Sequence, residues 1–588
     1  MKLRLLIHHR CSLAILALLL SAGDVSSITR RDDVLDVEYT TLAADPLYES
    51  SGFYDYPDGR TRCTGNLIHP EWVLTAGHCV PDNNNPLTVI FFSLGPSSSN
   101  LSVTVGADSW VRHPDLDNNN IQNGDDFGLV KLLQPVLDVT PARLYRNTNE
   151  QTRTATIVGY GYPGTGSAGA VSTSLYTKRA AENRIDRIGT NSGFSWSNEL
   201  ILADFDNPTN PSDSKWNPTT PTAQEGMIAT VDSGSGWFFT DNGINYLAGV
   251  SSFKHDPNDA WIGQIRSEYG EIFAGGRVSQ DLTWIDDNHD NTVFWDVASG
   301  DWGNNGNWFG GDEPGSTNAA VISSGIATVS SAGEVADFVF VENTGQLHLN
   351  NQLAVTNLMV KRNGLLTIGA TTAAVTLSGS YNQQLDGRLQ LDIQGTTVGS
   401  QYDRLTVSDT ATLEGNLELL VNVGSGSYAD PVVRGQQDLF SLLATTTLGG
   451  TFDSVDYDGS NLEAGVNYVG SNQNSDDGLF RVLQYSATTV ELTNYLASDG
   501  DVNGDTVVDL DDFSIIQQNL FTSSTNWFTG DLDGNGLTDV RDFNKWNEHK
   551  MVGIATPPLF GLVPEPVSGM LLLIGAAIVY WQRRFGCR

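Results

Sequence analysis

Apolar and polar residues alternate with a period of two over much of the second half of the chain. Between Val293 and Tyr495 the alternation recurs in segments such as QLHLNN, LQLDIQG and DRLTVSDTATLEGNLELLV, with Gly or Asn between them. Such alternation predicts half-buried strands, and Gly or Asn at the breaks predicts tight turns. Residues 293–495 are therefore predicted to form a β-rich spacer, either a β-solenoid or a β-sandwich, with a role in spacing or adhesion.

A shorter apolar run in the first half, Phe127–Leu132, follows two aspartates and also predicts a strand. Successive side chains of a strand point in opposite directions. Asp126 is therefore expected to face a buried seam, and Asp125 to face the other way.

The N-terminal residues have the pattern of a secretory signal peptide. Basic residues precede an apolar run from Leu13 to Leu20, and Val25-Ser26-Ser27 fits a small-residue cleavage site. Residues 1–27 are predicted to be removed, which leaves Ile28 as the mature N terminus.

The C-terminal residues carry a second apolar run. Val563-Pro564-Glu565-Pro566 precedes Val567–Trp581, and arginines follow it. The run has 15 residues, against about 20 for a comfortable membrane span. Arginines after such a run predict a cytoplasmic tail and an exported body.

Length, charge and cysteine content narrow the possibilities further. A chain of 588 residues has room for several domains, and its net charge of −37 excludes the basic face that a nucleic-acid partner requires. Cys11 and Cys587 lie in the two end segments, which leaves Cys63 and Cys79 in the body. In an exported protein this pair is expected to form a disulfide, with two free buried thiols as the alternative.

Two acidic segments near the C terminus share one spacing of oxygen-bearing side chains. Each places them at positions 1, 3, 5, 9 and 12 of a 12-residue loop, which is the spacing of calcium-binding loops. Without a cation these carboxylates would repel one another, so bound Ca²⁺ is expected, with an acidic disordered linker as the alternative. Position 6 is Thr506 in the first loop and Gly536 in the second, and helices are predicted at Phe513–Leu520 and Phe543–Trp546. The predicted ligands are Asp501, Asn503, Asp505, Asp509 and Asp512 in the first loop and Asp531, Asp533, Asn535, Asp539 and Asp542 in the second.

Three motifs in the first half supply the residue types of nucleophilic catalysis. In chain order they are TAGHC with His78, DFGLVKL with Asp126, and DSGSG with Ser233. A serine hydroxyl needs an adjacent base to become a nucleophile. His78 would take that proton, and Asp126 would fix the tautomer of the imidazole and stabilise its cation.

These motifs, together with their surroundings, resemble the trypsin-like serine proteases over residues 40 to 286. The stretch CTGNLIHPEWVLTAGHC resembles the family's disulfide-bridged hairpin, VGYGYPG its glycine-aromatic-glycine turn, LAGVSSF its pocket strand and GRVSQDLTWI its closing strand and helix. The resemblance implies an all-β majority, with a chymotrypsin-type double β-barrel, and a serine endopeptidase with His78, Asp126 and Ser233 as its triad. It also implies an oxyanion hole formed by the backbone N–H groups of Val231 and Ser233.

Several positions depart from the family pattern. Val231 stands where the family has Gly, and losing one oxyanion donor costs about 10²- to 10³-fold in rate. Met227 stands at the floor of the specificity pocket, which Ser252 and Phe253 are expected to line, and this predicts no trypsin-like preference for Lys or Arg; Lys254 stands near the expected pocket wall. The new N terminus of the family pairs with the Asp before the nucleophile, here Asp232, so signal cleavage before Ile28 would activate the enzyme directly.

Two further resemblances concern the C-terminal part. The paired calcium loops, with Asp at position 12 and a helix after each, are similar to a dockerin, which implies a cohesin-like partner. The end segment resembles the PEP-CTERM sorting signal of bacteria, which implies processing by an exosortase-type membrane enzyme.

Together these patterns predict an exported protein at the cell surface or outside the cell, initially anchored by its C-terminal segment. The predicted regions are a signal peptide at 1–27, a protease domain at 28–287, the spacer at 293–495, a dockerin-like module at 498–550 and a sorting signal at 563–588. A non-catalytic surface or adhesion protein, with the trypsin-like domain as a binding module, is the alternative.

Overall fold

The computed structural model describes residues 28–557 except 56–62, 82–89, 173–175, 217–220, 258–265, 311, 424–425, 463, 466–467, 470–477 and 524. The predicted signal peptide and the predicted sorting signal lie outside the described residues. The chain divides into two compact units, residues 1–292 and 293–588.

Among its described residues, the first unit contains seventeen strands and two α-helices. The helices are α1 (Asp36–Ala43) and α2 (Leu282–Asn288). The strands are β1 (Ile28–Arg30), β2 (Ser51–Asp55), β3 (Cys63–His69), β4 (Trp72–Thr75), β5 (Phe91–Leu94), β6 (Val103–Arg112), β7 (Gly128–Leu132), β8 (Thr154–Gly159), β9 (Pro163–Thr165), β10 (Gly169–Ala170), β11 (Arg179–Arg184), β12 (Arg187–Ile188), β13 (Leu200–Asp204), β14 (Gly226–Met227), β15 (Gly236–Asp241), β16 (Ile244–His255) and β17 (Ile272–Arg277).

Two sheets of this unit matter for the candidate site. Six strands close an antiparallel barrel in the order β2-β3-β4-β7-β6-β5, and seven form a sheet in the order β11-β8-β15-β16-β17-β13-β12. Leu74 and Leu129 from the barrel and Leu247 from the seven-stranded sheet are fully buried in one hydrophobic core. Each such side chain stabilises the fold by about 1.5–3 kcal/mol. The prediction of a mostly β chain is confirmed, and the closed barrel with its half-barrel partner fits the chymotrypsin-type fold.

The second unit begins with strands that pair mainly in parallel. They are β18 (Thr292–Trp295), β19 (Ser299–Asp301), β20 (Trp308–Phe309), β21 (Ala319–Ile322), β22 (Ile326–Val329), β23 (Glu334–Val335), β24 (Phe338–Val341), β25 (Gln346–Leu349), β26 (Leu353–Val360), β27 (Leu365–Ile368), β28 (Ala374–Gln383), β29 (Arg388–Ile393), β30 (Arg404–Val407), β31 (Thr410–Leu413), β32 (Asn416–Val421), β33 (Gln437–Ala444), β34 (Thr447–Gly450), β35 (Ser454–Tyr457), β36 (Ser460–Leu462), β37 (Ala464–Gly465), β38 (Tyr468–Val469), β39 (Leu479–Tyr485) and β40 (Thr489–Leu496).

Two parallel ladders run through this region. One contains β22-β25-β27-β29-β32-β35 and the other contains β21-β24-β26-β28-β30. In β22, β25 and β30 every second residue is buried, which is the physical origin of the period-two sequence pattern. Their alternating apolar side chains enter one continuous core.

The last part of the second unit is helical. The helices α3 (Leu510–Asn519) and α4 (Val540–His549) each begin three residues before the predicted start. The reason is a reciprocal capping box in each loop, because the side chains of Asp509 and Asp539 accept hydrogen bonds from backbone N–H groups of the first helical turn. These helices share a hydrophobic core with Phe480 of β39 and Tyr495 of β40.

No helix within the described residues is long and apolar enough to cross a membrane. The apolar run Val567–Trp581 lies outside those residues.

Candidate active site

His78 and Asp126 lie together at the edge of the closed barrel. The side-chain oxygen Oδ2 of Asp126 lies 2.7 Å from Nδ1 of His78, and Oδ1 accepts a 2.8 Å hydrogen bond from the backbone N–H of His78. His78 sits in a short 3₁₀ turn after β4, and Asp126 lies two residues before β7, which pairs with β4. The ladder between these two strands thus fixes the distance between the two residues.

The two residues differ sharply in exposure. Asp126 is fully buried, whereas 31% of the His78 side chain is exposed. Burial by itself lowers the pKa of His78, but the charge and hydrogen bond of Asp126 outweigh it, so that pKa is raised. Burial by itself raises the pKa of Asp126, but His78 and a hydrogen bond from Ser252 hold it below its usual value. The pair is therefore built to stabilise a cationic imidazole beside a carboxylate.

Ser252 takes a place that sequence reasoning did not give it. Its hydroxyl donates a 2.5 Å hydrogen bond to Oδ2 of Asp126, and the residue is 5% exposed. The sequence analysis placed Ser252 in the substrate pocket because of the strand in which it lies. The motif alone does not say which way its hydroxyl points.

Ser233 lies on a turn held between the barrel and the seven-stranded sheet. Its carbonyl accepts a 2.8 Å hydrogen bond from the N–H of Thr64, and Gly234 donates a 2.8 Å bond to the carbonyl of Ser251. Gly234 has φ of +87°, and a Cβ there would lie 1.9 Å from the carbonyl oxygen of Thr64. Only glycine fits this position, and that fixes the turn on which the Ser233 hydroxyl sits, in a half-buried position.

A disulfide joins the strand whose Thr64 holds the Ser233 carbonyl to the turn that carries His78. Cys63 and Cys79 are bonded, which confirms the predicted pair. Cys63 precedes Thr64 and Cys79 follows His78, and their sulfurs lie within 4.8 Å of a His78 ring nitrogen. Because the sulfurs are bonded to each other, this cluster is no metal site. The link closes a 16-residue separation, for which chain entropy predicts about 3 kcal/mol of stabilisation.

Val231 adopts a left-handed backbone conformation, which favours glycine. Its φ is +80°, and the N–H of Asp232 donates a 3.1 Å bond to the carbonyl of Ala229. These are the features of a type II turn with Val231 at its third position, where Gly is favoured. A β-branched residue there is strained by about 1–3 kcal/mol.

Asp232 is fully buried beneath this turn. Its two oxygens accept bonds of 2.6 Å from the N–H of Gly161 and 2.8 Å from the N–H of Ala229, and the backbone of Ile28 also hydrogen-bonds it. Burial raises its pKa to about 7, and these bonds and the charge of Lys254 oppose that rise. A Cβ on Gly161 would lie 2.4 Å from Asp232, so the glycine-aromatic-glycine turn serves to admit this carboxylate.

The structure also locates the predicted pocket residues. Met227 lies on β14 opposite Thr29 of β1 and is 1% exposed, while Phe253 lies edge-on to Trp196. Lys254 is half-buried, and its Nζ donates a 3.0 Å bond to the hydroxyl of Ser267. Burial lowers the pKa of Lys254, against the charges of Glu271 and Asp232. Residues 258–265, which follow in the chain, lie outside the described residues.

The two predicted calcium loops repeat one hydrogen-bond pattern. Oδ1 of Asp512 accepts bonds of 2.7 and 3.1 Å from backbone N–H groups, and Oδ1 of Asp542 accepts bonds of 2.8 and 3.1 Å from the equivalent groups. Asp531, Asp533 and Asp542 each offer an oxygen within 4.8 Å of the others. This all-oxygen donor set fits a hard cation such as Ca²⁺.

Comparison with known proteins points to the same half of the chain. The family model Trypsin matches residues 48–263. This part of the chain is a trypsin-like serine protease domain. His78, Asp126 and Ser233 all fall within the matched residues.

Individual relatives cover shorter stretches. The chain is 39% identical to the tryptase of Mus musculus over 75 residues, which are 13% of this chain and 27% of that protein. It is 33% identical to the chymotrypsin of Phaedon cochleariae over 112 residues, 17% of this chain and 38% of the relative. It is 36% identical to the chymotrypsin-like elastase family member 1 of Macaca fascicularis over 80 residues, 13% and 28% of the two chains. The chain thus spans between 27% and 38% of these relatives.

A solved structure titled HL collagenase is 20% identical, and the match covers 42% of this chain and 95% of that one with a TM-score of 0.31.

Proposed function

We propose that this protein is an exported serine endopeptidase that hydrolyses peptide bonds in proteins through His78, Asp126 and Ser233. The observation that carries the proposal is the buried Asp126 carboxylate, which contacts His78 at 2.7 Å and Ser252 at 2.5 Å. A carboxylate, an imidazole and a serine on a glycine-fixed turn in one trypsin-like domain are the parts that acyl transfer requires.

Each residue has a defined task in this reaction. His78 accepts the Ser233 proton as the hydroxyl attacks the carbonyl carbon, and returns it to the leaving amine. Asp126 holds Nδ1–H of His78 and stabilises the imidazolium, while Ser252 holds Asp126. The backbone N–H groups of Ser233 and Val231 would bind the oxyanion. A water molecule then attacks the acyl-enzyme with His78 as its base. This step releases the acyl group as a carboxylic acid and returns a proton to the Ser233 oxygen.

Activation by signal cleavage belongs to the same proposal. Ile28 is fully buried in β1, and its backbone hydrogen-bonds Asp232. Cleavage before Ile28 would place a new ammonium group at that carboxylate, one residue from Ser233. The mature terminus is read by mass spectrometry, and any first residue other than Ile28 contradicts this route.

The remaining parts of the proposal concern assembly. The parallel ladders of the second unit support a β-solenoid as spacer, and the two loops support bound Ca²⁺ in a dockerin-like module with a cohesin-like partner. The end segment is proposed as a sorting signal that anchors the exported protein until an exosortase-type enzyme processes it.

The test is hydrolysis of a denatured protein substrate by the purified full chain that begins at Ile28. Ser233→Ala should abolish it, and Ser235→Ala is the matched control in the same DSGSG turn, since its hydroxyl makes no hydrogen bond among the described residues. Activity in the wild type and in Ser235→Ala, together with no activity in Ser233→Ala, supports the proposal. No hydrolysis by the folded wild type would instead support the binding-module function.

A further inference from the structure

A cluster of one imidazole and three carboxyl groups includes Asp125, the neighbour of Asp126 in the chain. It contains His113, which follows β6, Asp125, which precedes Asp126, Glu199, which precedes β13, and Asp281, which precedes α2. One ligand atom from each of His113, Asp125 and Asp281 lies within 4.8 Å of the other two. The triad does not use any of them.

The distances within the cluster suit a shared cation. Nε2 of His113 lies 3.6 Å from Oδ1 of Asp281, and Nδ1 lies 3.9 Å from Oδ1 of Asp125. These exceed hydrogen-bond lengths, but two ligand atoms on one Zn²⁺, each about 2.0–2.2 Å from it, lie about 3–4 Å apart. Nδ1 accepts a 3.3 Å hydrogen bond from the N–H of Asp115, so a metal ion on Nε2 would bind the tautomer in which Nδ1 carries the proton and that bond is given up.

Asp281 supplies an independent sign of a ligand. Its side chain is 92% buried, and Oδ2 accepts no hydrogen bond from any described residue. A buried carboxylate oxygen without a hydrogen-bond partner destabilises the folded state. A bound cation would satisfy it and remove that destabilisation.

Charge balance points the same way. The carboxyl groups of Asp125 and Glu199 are within hydrogen-bonding reach of each other, and Asp281 is in electrostatic contact with both. Among the described residues, the ion pairs of Asp125 and Asp281 are both to His113. The three carboxyl groups repel one another when they are ionised, and a divalent cation would relieve that repulsion.

Glycine and aromatic neighbours fix the cluster. A Cβ on Gly124 would lie 2.3 Å from Cβ of Glu199, so glycine allows Glu199 to approach Asp125. The ring of Trp284 lies edge-on to His113 at 4.8 Å and holds its orientation. Asp125 and Glu199 are partly exposed, which gives a cation a path from solvent.

We propose that His113, Asp281, Asp125 and Glu199 form a binding site for a divalent cation of the zinc class. Nε2 of His113 and the carboxylate of Asp281 would be direct ligands, with Asp125 orienting the imidazole from its Nδ1 side. An imidazole nitrogen among oxygens favours Zn²⁺ or Co²⁺ over Ca²⁺. The site would fix the backbone that carries Asp126, because the N–H of His113 donates a 2.9 Å bond to the carbonyl of Phe127. This cation-site proposal does not depend on the protease proposal.

The test is Zn²⁺ titration of the full chain by calorimetry, in excess Ca²⁺ that occupies the C-terminal loops. Asp281→Asn and His113→Gln should each lose one bound equivalent, and Asp125→Asn should bind that equivalent about 10- to 100-fold more weakly. The control is His549→Gln, a His that lies 4.0 Å from Asp499 in the other unit, which should keep the full number.

Thermal melting separates this proposal from a simple packing role. Without metal, Asp281→Asn should melt no lower than wild type, because an amide of the same shape replaces a buried carboxyl group that has an unpartnered oxygen among the described residues. It should nevertheless lose the rise in melting temperature that Zn²⁺ gives the wild type. Equal Zn²⁺ binding by wild type and Asp281→Asn, or none by wild type, would overturn the proposal.

Discussion

The buried carboxylate of Asp126 decides the electrostatics of the candidate site. It accepts hydrogen bonds from the backbone of His78 and the hydroxyl of Ser252, and it contacts Nδ1 of His78. Since these interactions favour the ionised carboxylate, its pKa is lowered, and its charge in turn raises the pKa of His78.

Replacing Asp126 with Asn should change both rate and pH dependence. His78 is a base only when neutral, so wild-type kcat/KM should rise with pH through a pKa above 6.5, the ordinary value for histidine. Asp126→Asn removes the charge that raises this pKa, so the midpoint should move to lower pH. It should also lower kcat by about 10⁴-fold, because the tautomer is no longer fixed. The measurement is the pH profile of peptide hydrolysis, and an unchanged midpoint would contradict this account.

Val231 offers a second test at the residue scale. Its positive φ favours glycine, whereas alanine keeps the Cβ that is strained there. Val231→Gly and Val231→Ala both lose the buried side chain, so they form a matched pair. Val231→Gly should be more stable than Val231→Ala by about 1–2 kcal/mol, and its kcat should be at or above that of wild type. Urea unfolding and hydrolysis rates measure both. A rise in kcat above about 100-fold would show that the native turn lacks a functional oxyanion donor.

Part of the site could be read from the sequence. The identities of His78, Asp126 and Ser233 follow from motifs, and the strand pattern predicted that Asp125 and Asp126 point apart. The hydroxyl direction of Ser252 and the cluster around His113 could not be read, because both depend on contacts between residues far apart in the chain.

Among the elements, the two predicted calcium loops show how one residue can differ between turns that otherwise have the same geometry. Position 6 has φ of +74° at Thr506 and +81° at Gly536. The N–H of each donates to the first aspartate of its loop, Asp501 or Asp531. The first loop therefore adopts the glycine conformation with a β-branched residue.

Thr506→Gly should stabilise the first loop. Thr506 is exposed, so its side chain contributes little burial, and relief of the left-handed conformation should raise the free energy of unfolding of the second unit by about 1 kcal/mol. Gly536→Ala is the reciprocal control and should lower it by a similar amount. Both are measured by denaturant unfolding at saturating Ca²⁺. A loss of stability in Thr506→Gly would contradict the loop geometry.

The helix starts illustrate why element boundaries were harder to predict than the elements. Apolar periodicity begins at Phe513 and Phe543, but the helices begin at Leu510 and Val540. Capping by Asp509 and Asp539 extends each helix into the loop, so the same aspartates serve as caps and as predicted calcium ligands.

At the scale of the whole molecule, the chain divides into two compact units. The trypsin-like domain lies in the first, whereas the parallel ladders and the predicted calcium loops lie in the second. Period-two alternation predicted strands in the second unit, but it could not choose between a sandwich and a solenoid, since burial on one face is common to both. The parallel pairing of the strands depends on contacts between residues far apart in the sequence, which the alternation does not encode.

Calcium should act on the second unit alone. The loops share a core with Phe480 and Tyr495, so bound Ca²⁺ should stabilise that core by the linkage between binding and folding. Titrating Ca²⁺ into calcium-free protein at constant Zn²⁺ should raise the melting temperature of the second unit and leave that of the first unchanged. Asp533→Asn should weaken this response. A calcium-dependent rise in the first unit would contradict the assignment.

The most direct measurement of the central claim is covalent labelling of the purified chain with a fluorophosphonate, which reacts with activated serines. Mass spectrometry should find one adduct on Ser233 in the wild type and in Ser235→Ala, and none in Ser233→Ala. Absence of the adduct in folded protein that begins at Ile28, or an adduct on another serine, would contradict the account.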